Sequence, residues 1–110
     1  MTIASTLAVN ARADGFRARL QMVFATPMVE IDGATHTLRW LTTHRFVIAP
    51  GKHTVRTFFR RHQSTGGHAT TFFTCGPAET VHLVATLSGT RFVNEVSHTR
   101  TRPLDPPLAV

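Results

Sequence analysis

The chain has one cysteine, one tryptophan, no tyrosine and six acidic residues among its 110 positions, and Lys52 is its one lysine. Each scarcity excludes something. With Cys75 alone there is no intrachain disulfide and no cysteine-based zinc cluster. In the run Phe72-Phe73-Thr74-Cys75 it reads as a small buried apolar residue, not a reactive thiol. The carboxylates form no obvious pair for general acid and base work, and Ser5, Ser64, Ser88 and Ser97 sit in no nucleophile-elbow context. Catalysis is not expected, and neither is a cofactor. No apolar run approaches the roughly 20 residues that span a bilayer, so the expectation is a soluble, cytoplasmic protein without a membrane span.

What is present is the composition of a folded domain, with 42% hydrophobic and 16% charged residues. The length suits a single domain that buries a modest core without staples. Twelve basic residues against six acidic ones give a formal charge of +6. Eleven of the twelve are arginine, whose planar guanidinium suits carboxylates and phosphates. Such a charge speaks to association with an anionic surface more than to fold. Nucleic acid is the weaker partner class, because no compact basic run or reading motif accompanies the charge.

Most of the chain alternates apolar and polar residues with a period of two, the pattern of half-buried strands. Phe16, Ala18, Leu20, Met22 and Phe24 alternate with Arg17, Arg19, Gln21 and Val23, which reads as a first strand with outward arginines. Val29 and Ile31 lead into an Asp32-Gly33 turn, and Phe46 and Ile48 lead into Pro50-Gly51. The run from Lys52 to Arg60, and the runs 69–75, 81–87 and 91–96, complete about eight short strands. Val81, Leu83, Ala85 and Leu87 form the cleanest buried face. Residues 61–67 read as the longest loop, with Ser64-Thr65-Gly66-Gly67 at its tip. No stretch holds helical periodicity over three turns. The fold expected is all-β, a single-domain antiparallel β-sandwich of immunoglobulin-like type or, alternatively, a partly open β-barrel. Residues 1–14 read as a flexible N-terminal arm, 15–98 as the sandwich, and 99–110 as a proline-rich C-terminal arm.

The runs Val29-Glu30-Ile31-Asp32-Gly33 and Phe46-Val47-Ile48-Ala49-Pro50-Gly51-Lys52-His53-Thr54-Val55 resemble the pattern of PEGA-type and carboxypeptidase-regulatory-like β-sandwich domains. With the later Pro77-Ala78-Glu79-Thr80-Val81, the chain is also similar to small, mostly actinobacterial all-β proteins. The resemblance spans residues 29–87 and implies an accessory module that works by association, with no catalytic residues to carry over.

Seven histidines raise the question of a metal, but no His-x-His or His-x-x-x-His pair occurs, so no metal site is expected. His62 and His68, flanking the Gly-Gly pair, are the first to test. The doubled aromatics Phe58-Phe59 and Phe72-Phe73 place large rings on both faces of two strands, and one face of each needs a cover. A protein partner or a second copy of the chain is therefore expected at Phe58, Phe59, Phe72 and Phe73, with Arg60 and Arg61 at the rim. The alternative is an anion-binding surface of Arg17, Arg19, Arg56, Arg60 and Arg61, engaging an anionic ligand or nucleic acid, with Arg17 and Arg19 on one strand face.

Overall fold

Alternating residues build a two-layer core. Leu7, Val9 and Ala11 of strand β1 (Ser5–Asp14) and Val81, Leu83, Ala85 and Leu87 of β7 (Glu79–Ser88) are buried on one face of one sheet. Val29 and Ile31 of β2 (Thr26–Ile31), Val55 of β5 (Gly51–Arg61) and Phe73 of β6 (Ser64–Cys75) face them from another. The computed structural model describes residues 4–100. It adds helix α1 (Phe16–Phe24) and strands β3 (Ala34–Thr37), β4 (Thr43–Ile48) and β8 (Arg91–Arg100). The sheets run β4-β1-β7-β8 and β3-β2-β5-β6 and are not closed into a barrel. The protein is an all-β sandwich.

A polar bridge crosses the middle of this core. Thr57 lies between Val55 and Phe59 on β5, Thr71 between Ala69 and Phe73 on β6, and Asn94 between Phe92 and Val96 on β8, so all three face inward. The Thr57 hydroxyl donates to Asn94 Oδ1 at 2.7 Å, and Asn94 Nδ2 donates to Thr71 Oγ1 at 3.0 Å and to the Ala69 carbonyl at 3.1 Å. One apolar cluster, with Leu7, Val29 and Leu83, fills the space on one side; Ala18, Ala85, Leu87 and Phe92 fill the other. The bridge ties the sheets in one register, since a buried amide is costly unless its partners are in place.

Five sequence expectations change. Residues 16–24 form α1, not a strand, and Gly15 at φ 88° makes the corner before it. From Ser5 onward the expected N-terminal arm is β1, an interior strand between β4 and β7. Its pairing with β7 is parallel, so this sheet is mixed, although every other strand pair is antiparallel. Thr99 and Arg100, expected in the C-terminal arm, belong to β8, and the remainder of that arm lies outside the described residues, as do residues 1–3. The expected loop 61–67 is a tight turn at His62 and Gln63, and Ser64–Gly67 belong to β6.

The glycine pair has a packing role. The Phe59 ring passes beneath Gly66 and Gly67, where an added Cβ would come within 2.8 Å and 2.7 Å of ring carbons. Gly67 also sits at φ +69°, which a β-carbon strains. Gly67→Ala is expected to lower unfolding free energy by about 1–3 kcal/mol in urea titrations. Asn94→Ala is expected to cost about 1–3 kcal/mol by the same measurement. The double change Thr57→Val with Asn94→Leu should cost less than the sum of its singles, because it removes both ends of the hydrogen bond at once.

Candidate functional site

The strand aromatics do not form one surface. Phe59 and Phe73 point into the core. Phe58 lies on the outer face of its sheet but is only 6% exposed. The His68 ring stacks on it at 5.2 Å, the Arg56 guanidinium covers it at 5.1 Å, and Met28 is its register partner on β2. Of the four, Phe72 alone is exposed, at 75%. The two doublets differ because neighbouring long side chains reach across Phe58, whereas Thr54, the register partner of Phe72 on β5, is too short to do so.

The arginine set also divides. Arg56 donates to Glu30 Oε2 at 2.9 Å, which removes it from any anion-binding stripe. Arg17 and Arg19, expected on one strand face, lie on α1, where two residues turn the chain by about 200° and place them on opposite flanks. Arg60 and Arg61 end β5 at the same end of the sandwich as α1, since Thr26, just after the helix, is the register partner of Arg60. The Arg61 guanidinium lies 5.8 Å from the Phe24 ring centroid. His62 is in the adjoining turn, while His68 is bonded to Thr65 Oγ1 at 3.1 Å. No group of three or more His, Cys, Asp and Glu side chains placed to share an ion occurs among the described residues.

The feature the sequence reading missed is the outward face of α1. Of its nine residues only Ala18 is buried, and that small side chain lets the helix lie close on the sandwich. Phe16, Leu20, Val23 and Phe24 are 79%, 48%, 74% and 61% exposed. At about 100° per residue these four fall within roughly 100° of arc, with Arg17 on one border and Arg19 on the other. The helix therefore turns an apolar stripe to solvent, the reverse of an ordinary surface helix. A groove of about 400 Å³ continues the stripe, lined by Arg17, Leu20, Gln21, Phe24, Arg61, Gly89 and Thr90.

The charge around it is mostly positive, with Asp14, just before the helix, the exception. Glu30 is bound to Arg56, Asp32 to His53, and Glu79 to His98 at 2.9 Å. Arg17, Arg19, Arg60 and Arg61 make no ion pair among the described residues. Full burial of a Phe, Leu or Val side chain is worth about 1.5–3 kcal/mol, so a partner covering the stripe gains from several of them at once. The signal in the sequence is local: Phe16 to Met22 has no β-branched residue and carries the good helix formers Ala, Arg, Leu, Gln and Met, unlike the threonine- and valine-rich strands around it.

At the far end of the sandwich His53 and Asp32 join two turns. The His53 side chain is 9% exposed, with Nδ1 on Asp32 Oδ2 and Nε2 on the Ala49 carbonyl. The second Asp32 oxygen accepts from the Thr54 amide at 2.9 Å. Both ring nitrogens face acceptors, an arrangement that favours the doubly protonated imidazole. Burial opposes the charged ring, but the hydrogen bonds to Asp32 and Ala49 and the Asp32 charge outweigh it and raise the His53 pKa. Burial likewise works against the Asp32 carboxylate, yet the bonds from His53 and Thr54 hold its pKa below the usual value.

No known protein family matches the chain, and no curated protein is significantly similar to it. The geometry of its own surface therefore carries the functional argument.

The turn clamp has a defined pH window. The His53 contribution is complete below its ordinary pKa of 6.5 and is lost as pH rises through the raised folded value. The Asp32 contribution is complete above its ordinary 3.8 and is lost as pH falls through the lowered folded value. Thermal melts of wild type against His53→Gln should differ most between these two ordinary values, and the difference should shrink as pH rises through the raised folded value of His53.

Proposed function

We propose that the protein is a non-catalytic association module that docks through the α1 end of the sandwich. The observation that carries this reading is the solvent-facing apolar stripe of Phe16, Leu20, Val23 and Phe24, bordered by Arg17 and Arg19 and continued by the groove beneath Arg61. It replaces the strand aromatics as the contact surface, and Phe72 is a secondary exposed ring. An accessory role is also what the resemblance to PEGA-type and carboxypeptidase-regulatory-like domains implies, and the sandwich architecture is compatible with it.

The anion-binding reading merges with this one in part. Arg17, Arg19, Arg60 and Arg61 lie at the α1 end, so the favoured partner surface is apolar at its centre and acidic at its border. Nucleic acid fits less well, since the centre of the site is aliphatic and aromatic side chains with no arginine among them.

Native mass spectrometry of the full chain, isolated gently from its own host, tests the docking surface. Wild type should carry a stoichiometric companion or form a discrete multimer. The double variant Val23→Ser/Phe24→Ser should lose it, and Phe72→Ser should keep it. A bare monomer in all three samples would reject a protein partner or second copy at α1, and loss only with Phe72→Ser would reject α1 as the contact.

A further inference from the structure

Resting on the reading that α1 is the docking surface, we infer that its partner is an anionic lipid bilayer. A second copy of the chain is disfavoured by charge. In a two-fold interface centred on α1 the same surface meets itself, so Arg17, Arg19 and Arg61 would be brought together with their own copies, and Asp14, just before the helix, is the carboxylate next to them in the chain. A rigid protein partner has to offer a matching cleft, yet Phe16 and Val23 are 79% and 74% exposed and stand clear of their neighbours. Side chains that project in this way suit a soft, deformable apolar phase.

The angular order on the helix matches a bilayer boundary. An interfacial helix lies in the membrane plane with its apolar arc in the acyl region and its cationic side chains at headgroup level. Here the apolar arc points away from the protein, Arg17 and Arg19 border it on both sides, and Ala18 anchors the opposite side to the sandwich. In an ordinary interfacial helix that opposite side is polar and hydrated; here it is packed on β1. The long arginine stems reach along apolar surface while their guanidinium groups stay with phosphates. Arg60 and Arg61 at the end of β5, with Arg91 beginning β8 beside the Gly89-Thr90 turn, extend the positive border past the helix. No helix among the described residues is long and apolar enough to cross a membrane, so contact would be peripheral, with α1 lying in the interface.

The experiment is vesicle co-sedimentation of the full chain. One set of vesicles is phosphatidylcholine alone; the other contains about one third phosphatidylglycerol. Wild type should pellet with the anionic vesicles and stay in solution with the zwitterionic ones. Arg17→Gln/Arg61→Gln should weaken binding by about thirtyfold at low salt. Val23→Ser/Phe24→Ser should weaken it by at least roughly tenfold, and because both positions are exposed this variant should keep the wild-type melting temperature. Added salt should weaken wild type far more than it weakens the arginine variant.

Absence of binding to anionic vesicles would overturn the lipid proposal. So would equal binding to both vesicle types, or binding that the serine variant retains in full, since that is electrostatic adhesion without insertion. If vesicles fail while a protein companion or multimer is lost with the same serine variant in native mass spectrometry, the docking surface stands and an acidic protein or a second copy replaces the bilayer. If neither measurement responds to α1, both readings fall.

Discussion

The space between the two sheets is one side chain deep from each layer, and the rest of the molecule follows from how that space is filled. Alternate residues of the strands occupy it, and the Asn94 bridge to Thr57 and Thr71 interrupts it at mid-height. Ala18 is the one side chain of α1 buried in it. The helix lies against the end of the sandwich, and its bulky residues are turned outward. The unusual surface is the counterpart of a filled interior.

The strand pattern was readable because a period of two has few rivals over ten residues. Val81, Leu83, Ala85 and Leu87 are buried as their alternation requires, and the Asp32-Gly33 turn reverses β2 into β3 with both residues at positive φ. Residues 16–24 were ambiguous for a physical reason. Phe16, Leu20 and Phe24 are four apart, a spacing that satisfies an alternating strand and a helix turn equally well over so short a segment. β1 was hidden because Ser5 and Thr6 interrupt its apolar run. Ser5 is nevertheless buried, its hydroxyl donating to the Gly76 carbonyl at 2.5 Å, and burial of that kind depends on a residue 71 positions away. The fate of the aromatic doublets was equally beyond local reading, because Phe58 and Phe72 differ only in which side chains of neighbouring strands and turns lie across them.

The electrostatic character of the surface comes from where the few acids went. Glu30, Asp32 and Glu79 are each engaged by a basic side chain within the domain. Three of the six carboxylates in the chain are thereby spent on internal pairs. Arg17, Arg19, Arg60 and Arg61 at the α1 end form no ion pair among the described residues, so part of the positive excess of the chain lies where the apolar stripe is. Composition showed the excess; topology shows its location.

The parallel pairing of β1 with β7 joins Leu7 to Val81 and Val9 to Leu83. It constrains the order in which the domain can assemble during synthesis. β1 leaves the ribosome first, yet of its two neighbours β4 comes some forty residues later and β7 more than seventy. The second sheet, β3-β2-β5-β6, is complete in sequence before β7 emerges and pairs through the β2-β3 and β5-β6 hairpins joined by a β2-β5 contact, whereas the first must wait for a contact of longer loop closure. For that interval β1 has β4 alone as a strand neighbour and keeps its β7 edge open, the state in which a nascent chain is most open to wrong strand partners and most in need of chaperone protection.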